Sequence, residues 1–451
     1  MSVGTIRVRE VKTHDRHIEI LYGAGDYSFA TKIFYHDVSF SQLKKLYSAQ
    51  TVETVVAHIA LFEGMKLCSL FPKTFDISAI APYLLPQSLD LFYKIYSGVF
   101  AQHCYENRVN DYFGPEVVPN RDRLQVRQPD KIVGENDIIL TGCGGGKDSA
   151  VMLKLMESAS LPFASMQYSH TVYGKADFQH QLIDGVVKTV SPNATHQVSI
   201  YDDFADYPLF ELYFPENSGI IAPETPVSIF ESLPLMMQYG YRYFGLAHEK
   251  SANKGNLFSE FLGKEVNHQW GKGYEAETLL NTFIRDYLLS NFNYFSLLAP
   301  IYDIRIFKLL SKYPELLPKI HSCNIRKPWC KKCPKCAYVW LGTMAFCDRD
   351  RVDAVFQKNL FDDADLLPTF RQMMGLESQT PFECIGEIEE TRLMLKRCRE
   401  KGLQGKAIAV FEKEVLSQDI DWNALEQQYD RVYSQEHAIP QEIFKAIESL
   451  L

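Results

Sequence analysis

Residues 137–157 read DIILTGCGGGKDSAVMLKLME, and the rest of the fold is organised around them. Ile138, Ile139 and Leu140 form an apolar run of the length of a buried parallel strand. Thr141, Gly142, Cys143, Gly144, Gly145 and Gly146 follow as a turn almost without side chains. Ser149 is then placed to cap a helix whose apolar positions Val151, Met152, Leu155 and Met156 recur at helical spacing. Strand, glycine turn and helix start together aim backbone N–H groups and the positive end of a helix dipole at one point. That is an anion site, suited above all to phosphate. The Walker A pattern fails, because it needs Gly at 141 and Ser or Thr at 148, where the chain has Thr141 and Asp148. The dinucleotide fingerprint fails too, because it needs a small residue where Lys147 stands.

What remains, Gly-Gly-Lys-Asp-Ser after a strand, resembles the PP-loop of the ATP pyrophosphatase superfamily. The resemblance implies an α/β fold of the adenine nucleotide alpha hydrolase kind. It also implies cleavage of ATP between the α- and β-phosphates and transfer of AMP to an oxygen of the substrate. The candidate nucleotide contacts are Thr141, Gly142, Gly144, Gly145, Gly146, Lys147, Asp148 and Ser149, with Gln167 in the next strand candidate. Position 144 departs from the superfamily pattern, which has Ser where this chain has Gly, so one hydroxyl contact is missing.

The chain of 451 residues, 46% hydrophobic and 23% charged, has an ordinary globular composition and the length of two or three domains. No apolar run approaches a membrane span, and the first residues lack the apolar core of a signal peptide. The expectation is a cytoplasmic protein without a membrane partner. A net charge of −9 and the lack of any Lys/Arg-rich arm argue against a nucleic-acid partner.

Residues 3–36 alternate apolar and polar in three runs, which predicts an antiparallel meander. Helical spacing follows over 42–47, 52–71 and 89–106, so residues 1–118 are expected to form an N-terminal α+β domain without a chemical motif. Residues 120–136 are polar and contain proline, as a connector does. Beyond the glycine turn, strand candidates at 163–168, 195–201, 241–246 and 294–298 alternate with helical segments at 177–190, 229–238 and 275–289. This alternation predicts a parallel sheet with right-handed crossovers and helices on both faces, filling residues 119–346. Ligands of such sheets sit outside the carboxyl ends of the strands. Two polar stretches are expected on that edge: residues 247–253, which hold His248 and Glu249, and residues 267–275, which hold His268. Their His, Glu, Lys and Asn are the side chains of acid–base and phosphate-contact chemistry. Residues 347–451 carry helical stripes and predict a helical C-terminal subdomain.

Cys323, Cys330, Cys333 and Cys336 fall within fourteen residues as two CxxC steps sharing Cys333. Four sulfurs so crowded suit one tetrahedral, structural Zn²⁺; metal-free thiols and a redox pair are the alternatives. The glycine-loop motif, HEKSAN at 248–253, NHQWGKGYEAE at 267–277 and KPWC at 327–330 together resemble one family within the PP-loop superfamily. It is the family of UDP-N-acetylmuramoyl-L-alanyl-L-glutamate epimerases of peptidoglycan precursor biosynthesis. That resemblance implies inversion of the terminal L-Glu of a UDP-MurNAc dipeptide through an acyl-adenylate, with ATP and Mg²⁺ consumed or bound and AMP and pyrophosphate released. Lys147 would then grip pyrophosphate, Asp148 would hold Mg²⁺, and His248, Glu249 and His268 are the candidate proton-transfer groups. Three rivals are an amide- or nitrile-forming ligase like 7-cyano-7-deazaguanine synthase, a tRNA-thiolating enzyme, and a regulator that binds ATP without turnover.

Overall fold

The computed structural model describes residues 3–124, 132–209 and 219–451. Three strands, β1 (Thr5–Thr13), β2 (His17–Ala24) and β3 (Tyr27–Tyr35), form the expected meander. Short β4 (Thr74–Asp76) and β5 (Glu116–Val118) extend it beyond β1. The central strands are β6 (Asn136–Cys143), β7 (Phe163–His170), β8 (Ala194–Asp202), β9 (Tyr241–Leu246) and β12 (Asn293–Ser296). Between the last two, β10 (Leu257–Ser259) and β11 (Lys264–Val266) make a separate hairpin. The large sheet runs β12-β9-β6-β7-β8-β3-β2-β1-β4-β5 and is parallel from β12 to β8. The meander therefore continues the sheet of the core, through antiparallel pairing of β3 with β8. The expected connector over 120–136 lies largely outside the described residues.

Both faces of this sheet are covered, so neighbouring residues on opposite faces of the same strand, such as Ile139 and Leu140 of β6, are both buried. On one face the helices Lys147–Ser158 and Ala176–Val187 bury Val151, Met156 and Ile183 together with the C-terminal helices Pro334–Phe346 and Ile388–Glu400. On the other, Val56, Phe62, Phe230 and Ile284 come from the helices Ala49–Glu63, Glu224–Tyr239 and Tyr274–Tyr287. Side chains of this kind stabilise by roughly 1.5–3 kcal/mol each when fully buried. Helices on both faces are the expected result of right-handed crossovers. No helix among the described residues is long and apolar enough to cross a membrane.

Three sequence expectations need correction. The helix after the glycine turn starts at Lys147 with Gly146 as its cap residue, and Ser149 donates its hydroxyl to the Gly146 carbonyl at 3.1 Å instead of capping. The apolar run 52–71 is two elements, an α-helix ending at Glu63 and a 3-10 segment Gly64–Leu70. Helices Asp303–Ser311 and Pro334–Phe346 lie in stretches without a helical expectation.

A buried ion cluster locks the meander to the parallel core. The Lys66 ammonium donates to Thr31 Oγ1 of β3 and Glu63 Oε1, each at 2.7 Å, and to Asp202 at the end of β8. Burial opposes the Asp202 charge, but Lys66 more than offsets it and holds that carboxyl below its ordinary value. A lowered carboxyl contributes stability that is present at neutral pH and lost as pH falls through its folded value. Lys66→Met should therefore destabilise the fold by about 3–5 kcal/mol at neutral pH, since two carboxylates are left buried without a partner. The loss should shrink as pH falls into the carboxylate range. Urea melts of both proteins at neutral and acidic pH check this; an equal loss at both pH values would contradict it.

Candidate active site

Strand order fixes where a ligand can sit. From β6 the chain moves through β7 to β8 on one side, then crosses to β9 and β12 on the other. The loops leaving β6 and β9 thus diverge to opposite faces and leave a crevice at their carboxyl ends. A cavity of about 320 Å³ fills it, walled by the glycine turn, by His248 and Glu249 after β9, and by Tyr168 and His170 of β7.

The glycine turn is held in a shape that only glycine allows. Gly145 has φ +77°, and a Cβ there would stand 2.0 Å from the His321 ring. His321 closes this contact by donating its amide to the Gly145 carbonyl at 3.0 Å, while Ser322 Oγ accepts the Lys147 amide at 3.3 Å. Gly144, by contrast, has open space where a Cβ would be, so the turn leaves room beside the helix start. Gly142, Gly144, Gly146, Asp148 and Ser149 face the cavity.

Lys147 does not line the cavity. Its side chain is 1% exposed and lies between Asp148 and Asp303, the first residue of the helix after β12. Burial works against this ammonium, but Asp148 and Asp303, with Glu249 further off, hold its pKa far above the ordinary value. Burial likewise opposes the Asp148 charge and is outweighed by Lys147, Lys335 and Lys272, which hold that carboxyl low. The cations that do reach the cavity wall are Lys272, Lys327 and Lys335. Lys272 keeps its proton despite burial because Cys384 and Glu249 lie beside it.

The two polar stretches arrive as expected, by different routes. Residues 248–253 leave β9 directly. Residues 267–273 leave the small hairpin β10–β11 rather than a core strand, and fold back to bring Lys272 to the wall. Burial, with Lys272 nearby, pushes the His248 imidazole well below its usual value, so it is neutral; its Nδ1 lies 3.2 Å from Ser296 Oγ. Burial, Asp303 and Asp148 push the Glu249 carboxyl up. His268 stands behind the wall, against Gln102 and Cys384. Thr141 and Gln167 stand off the cavity: the Thr141 hydroxyl donates to the Ala164 carbonyl at 3.1 Å, and Gln167 accepts from Gln197 at 3.0 Å. Asp303, His321, Ser322, Lys327, Lys335 and Cys384 were not legible as site residues in the sequence. Only Asp303, opening a helix after a core strand, carried a positional signal.

The four cysteines do converge. Their sulfurs all lie within 4.8 Å of one another, with Cys323 to Cys333 and Cys330 to Cys336 both at 3.8 Å. Thiolates placed tetrahedrally at about 2.3 Å from one Zn²⁺ would stand roughly 3.8 Å apart. Amides of Arg326, Lys332 and Cys336 point at sulfurs of the set at 3.4 Å, as donors to thiolate do. The donor set and geometry fit a closed zinc site. The same segment carries His321, Ser322, Lys327 and Lys335 to the crevice, so the cluster is positioned to brace the glycine turn.

Geometry defines a doubly wound α/β protein with a glycine turn at the switch point of its sheet. Comparison with known proteins adds a family. Residues 207–297 match the MurL N-terminal domain, and residues 319–428 match the MurL C-terminal domain. Both matched segments contribute to the cavity wall, whereas the glycine turn lies outside them. Proteins named UDP-N-acetyl-alpha-D-muramoyl-L-alanyl-L-glutamate epimerase from Micromonospora sp., Salinispora tropica and Xanthomonas oryzae pv. oryzae are 29%, 28% and 25% identical to this chain. The matches cover 68%, 70% and 69% of this chain and 66%, 67% and 68% of those proteins. The chain is therefore similar to the MurL proteins over about two thirds of their length. No solved structure matches it at a significant level.

Gly145→Ala should break the turn, because it forces a left-handed residue against the His321 ring. The cost of the conformation alone is about 1–2 kcal/mol. Thermal melts should show this loss, with weaker binding of ATP or pyrophosphate by calorimetry. Gly144→Ala, facing open space, should leave stability within about 0.5–1 kcal/mol of the parent. Equal behaviour of the two variants would contradict the assigned roles.

Proposed function

We propose that this chain inverts the α-carbon of the terminal L-Glu of UDP-MurNAc-L-Ala-L-Glu, a step of peptidoglycan precursor synthesis. ATP would activate the carboxylate as an acyl-adenylate, with pyrophosphate and then AMP released, in the manner of PP-loop enzymes. The observation that supports this best is the convergence, at one switch-point crevice, of a side-chain-free anion turn, three lysines and two carboxyls of opposite tuning. The names of the MurL relatives supply the substrate.

Chemistry explains why an epimerase would need an ATP-splitting loop. Taking the α-proton beside a free carboxylate would build a second negative charge next to the first. Transfer of AMP onto that carboxylate removes the first charge, and the α-carbon becomes acidic enough for a side-chain base. In this scheme the carboxylate oxygen attacks the α-phosphorus and the bond to the pyrophosphate breaks. The turn's N–H groups, with Lys272 and Lys335 on the wall, take up the charge that develops on the departing phosphates. Lys147 acts from beneath by fixing Asp148 and Asp303. Asp148, held low by the lysines around it, faces the cavity and fits Mg²⁺, which binds through one or two carboxylates plus substrate phosphates. Mg²⁺ would supply offsetting charge on the phosphates. Water then hydrolyses the mixed anhydride, so the crevice must readmit solvent late in the cycle.

The test is incubation with ATP, Mg²⁺ and the muramoyl dipeptide nucleotide, reading AMP against ADP. AMP should form only when the dipeptide nucleotide is present, alongside D-Glu in the recovered product. Asp148→Asn and Lys272→Met should each lower the AMP rate by about a hundredfold or more, with both variants still folded by circular dichroism. ADP as product, or near-normal AMP from both variants, would overturn the proposal.

The cysteine cluster should hold one zinc per chain, in a structural role. Elemental analysis of protein purified without added metal should find it, and Cys330→Ser should lose it. Because the segment braces His321 and Ser322 against the turn, the zinc-free variant should bind ATP about tenfold more weakly or worse. Background zinc in an active preparation would contradict this.

A further inference from the structure

The crevice holds a nucleophile that the scheme above does not use. Cys384 shares the cavity wall with Lys272, Glu249 and Gly144. Its loop is fixed at three points. The Lys335 ammonium donates to the Cys384 carbonyl, the Cys384 amide donates to Glu383 Oε1 at 2.9 Å, and Gln269 Nε2 donates to the Ile385 carbonyl at 3.0 Å.

Behind the thiol stands an oriented imidazole. Ligand atoms of His268, Glu383 and Cys384 lie within 4.8 Å of one another. The Gln102 amide nitrogen donates to Glu106 Oε2 at 3.0 Å, which turns the amide oxygen to His268 Nδ1, 2.7 Å away. An amide oxygen only accepts, so Nδ1 carries the proton and Nε2 is left for the thiol. Glu106, Gln102, His268 and Cys384 thus form a carboxylate–amide–imidazole–thiol chain, with the Lys272 ammonium beside its reactive end. Such surroundings favour thiolate. Burial pushes the thiol up, yet Lys272 and then His268 outweigh it and bring it to about 7. Cys143, the other cysteine on this wall, is fully buried and pushed up by that burial.

We infer that Cys384 is a catalytic proton-transfer group of the epimerisation, a role that rests on the proposed reaction. As thiolate it takes the α-proton of the activated Glu. The C–H bond breaks, an S–H bond forms, and the electron pair moves onto the activated carboxyl to give the enolate. The Glu249 carboxyl returns a proton to the other face of the same carbon. Both groups then re-equilibrate with solvent, and the reverse direction exchanges their roles.

Cys384→Ser separates this from the wider proposal. It should keep AMP formation within about tenfold of the parent and lose epimerisation by about a hundredfold or more. In D₂O with ATP it should take up α-deuterium from one epimer of the dipeptide nucleotide and not from the other, as a site with one of two bases removed does. Iodoacetamide labelling of the parent, mapped to Cys384 by mass spectrometry, should show a pH midpoint near 7. The midpoint should move up by about a unit or more in Lys272→Met, because that cation favours the thiolate, and substrate should slow the labelling. Epimerisation by Cys384→Ser within about threefold of the parent would overturn the inference. So would a labelling midpoint in the ordinary thiol range of about 8.5. A second zinc per chain that vanishes in Cys384→Ser would make the cluster a metal site and overturn it as well. Absence of AMP from the parent protein would instead count against the reaction, while the labelling midpoint would still report on the thiolate.

Discussion

A single buried ammonium sets the geometry of the crevice. Lys147 is the first residue of the helix that follows the glycine turn, and it is sealed between Asp148 and Asp303. Asp303 belongs to the helix after β12, at the far edge of the parallel strands. The ion cluster therefore ties the two walls of the switch point together beneath the place where a ligand would rest. Breaking a buried pair from one side costs about 3–5 kcal/mol, so the walls cannot drift apart cheaply. A cation placed there also leaves Asp148 ionised and facing the cavity.

The rest of the chain supports this arrangement from outside. The Glu390 carboxyl, fully buried in the C-terminal helices, accepts from the Ser251 hydroxyl, from the Ile304 amide and from the Glu387 amide. One side chain thereby fastens the loop after β9 and the start of the Asp303 helix to the C-terminal region. The cysteine-rich segment reaches the same crevice from another direction, clamping the turn through His321 and Ser322. Two of its lysines, Lys327 and Lys335, sit on the cavity wall. Segments far apart in sequence thus each supply a few groups to one small cavity, which explains why no short stretch of the chain contains the whole site.

Much of the fold was legible because it rests on periodicity. The meander, β6 to β9 and the helices between them follow from alternation and helical spacing, and the glycine turn at the edge of the sheet follows from its composition. Two helices escaped because their neighbours masked them: Asp303–Ser311 follows β12 across a short turn, and Pro334–Phe346 begins inside the cysteine cluster, with Cys333 as its cap. Within the site, His248, Glu249 and Asp148 were legible from their positions after core strands. Burial of Lys147 was not, because its partner Asp303 is 156 residues away. Cys384 was not legible either: it lies in a loop without a motif, and its significance comes from Lys272 and His268, which only the fold brings beside it. Sequence patterns report local geometry, whereas the tuning of an acid or a thiol is set by charges that arrive from elsewhere.

The central claim is that activation of the carboxylate precedes loss of the α-proton. It is tested most directly by following deuterium at the Glu α-position of the dipeptide nucleotide in D₂O, by mass spectrometry. Deuterium should enter only with ATP present. An ATP analogue that cannot be split between the α- and β-phosphates should not substitute, because it fills the turn yet transfers no AMP. Uptake without nucleotide, or with the analogue alone, would show that the α-carbon is acidified by some other means and would contradict the account.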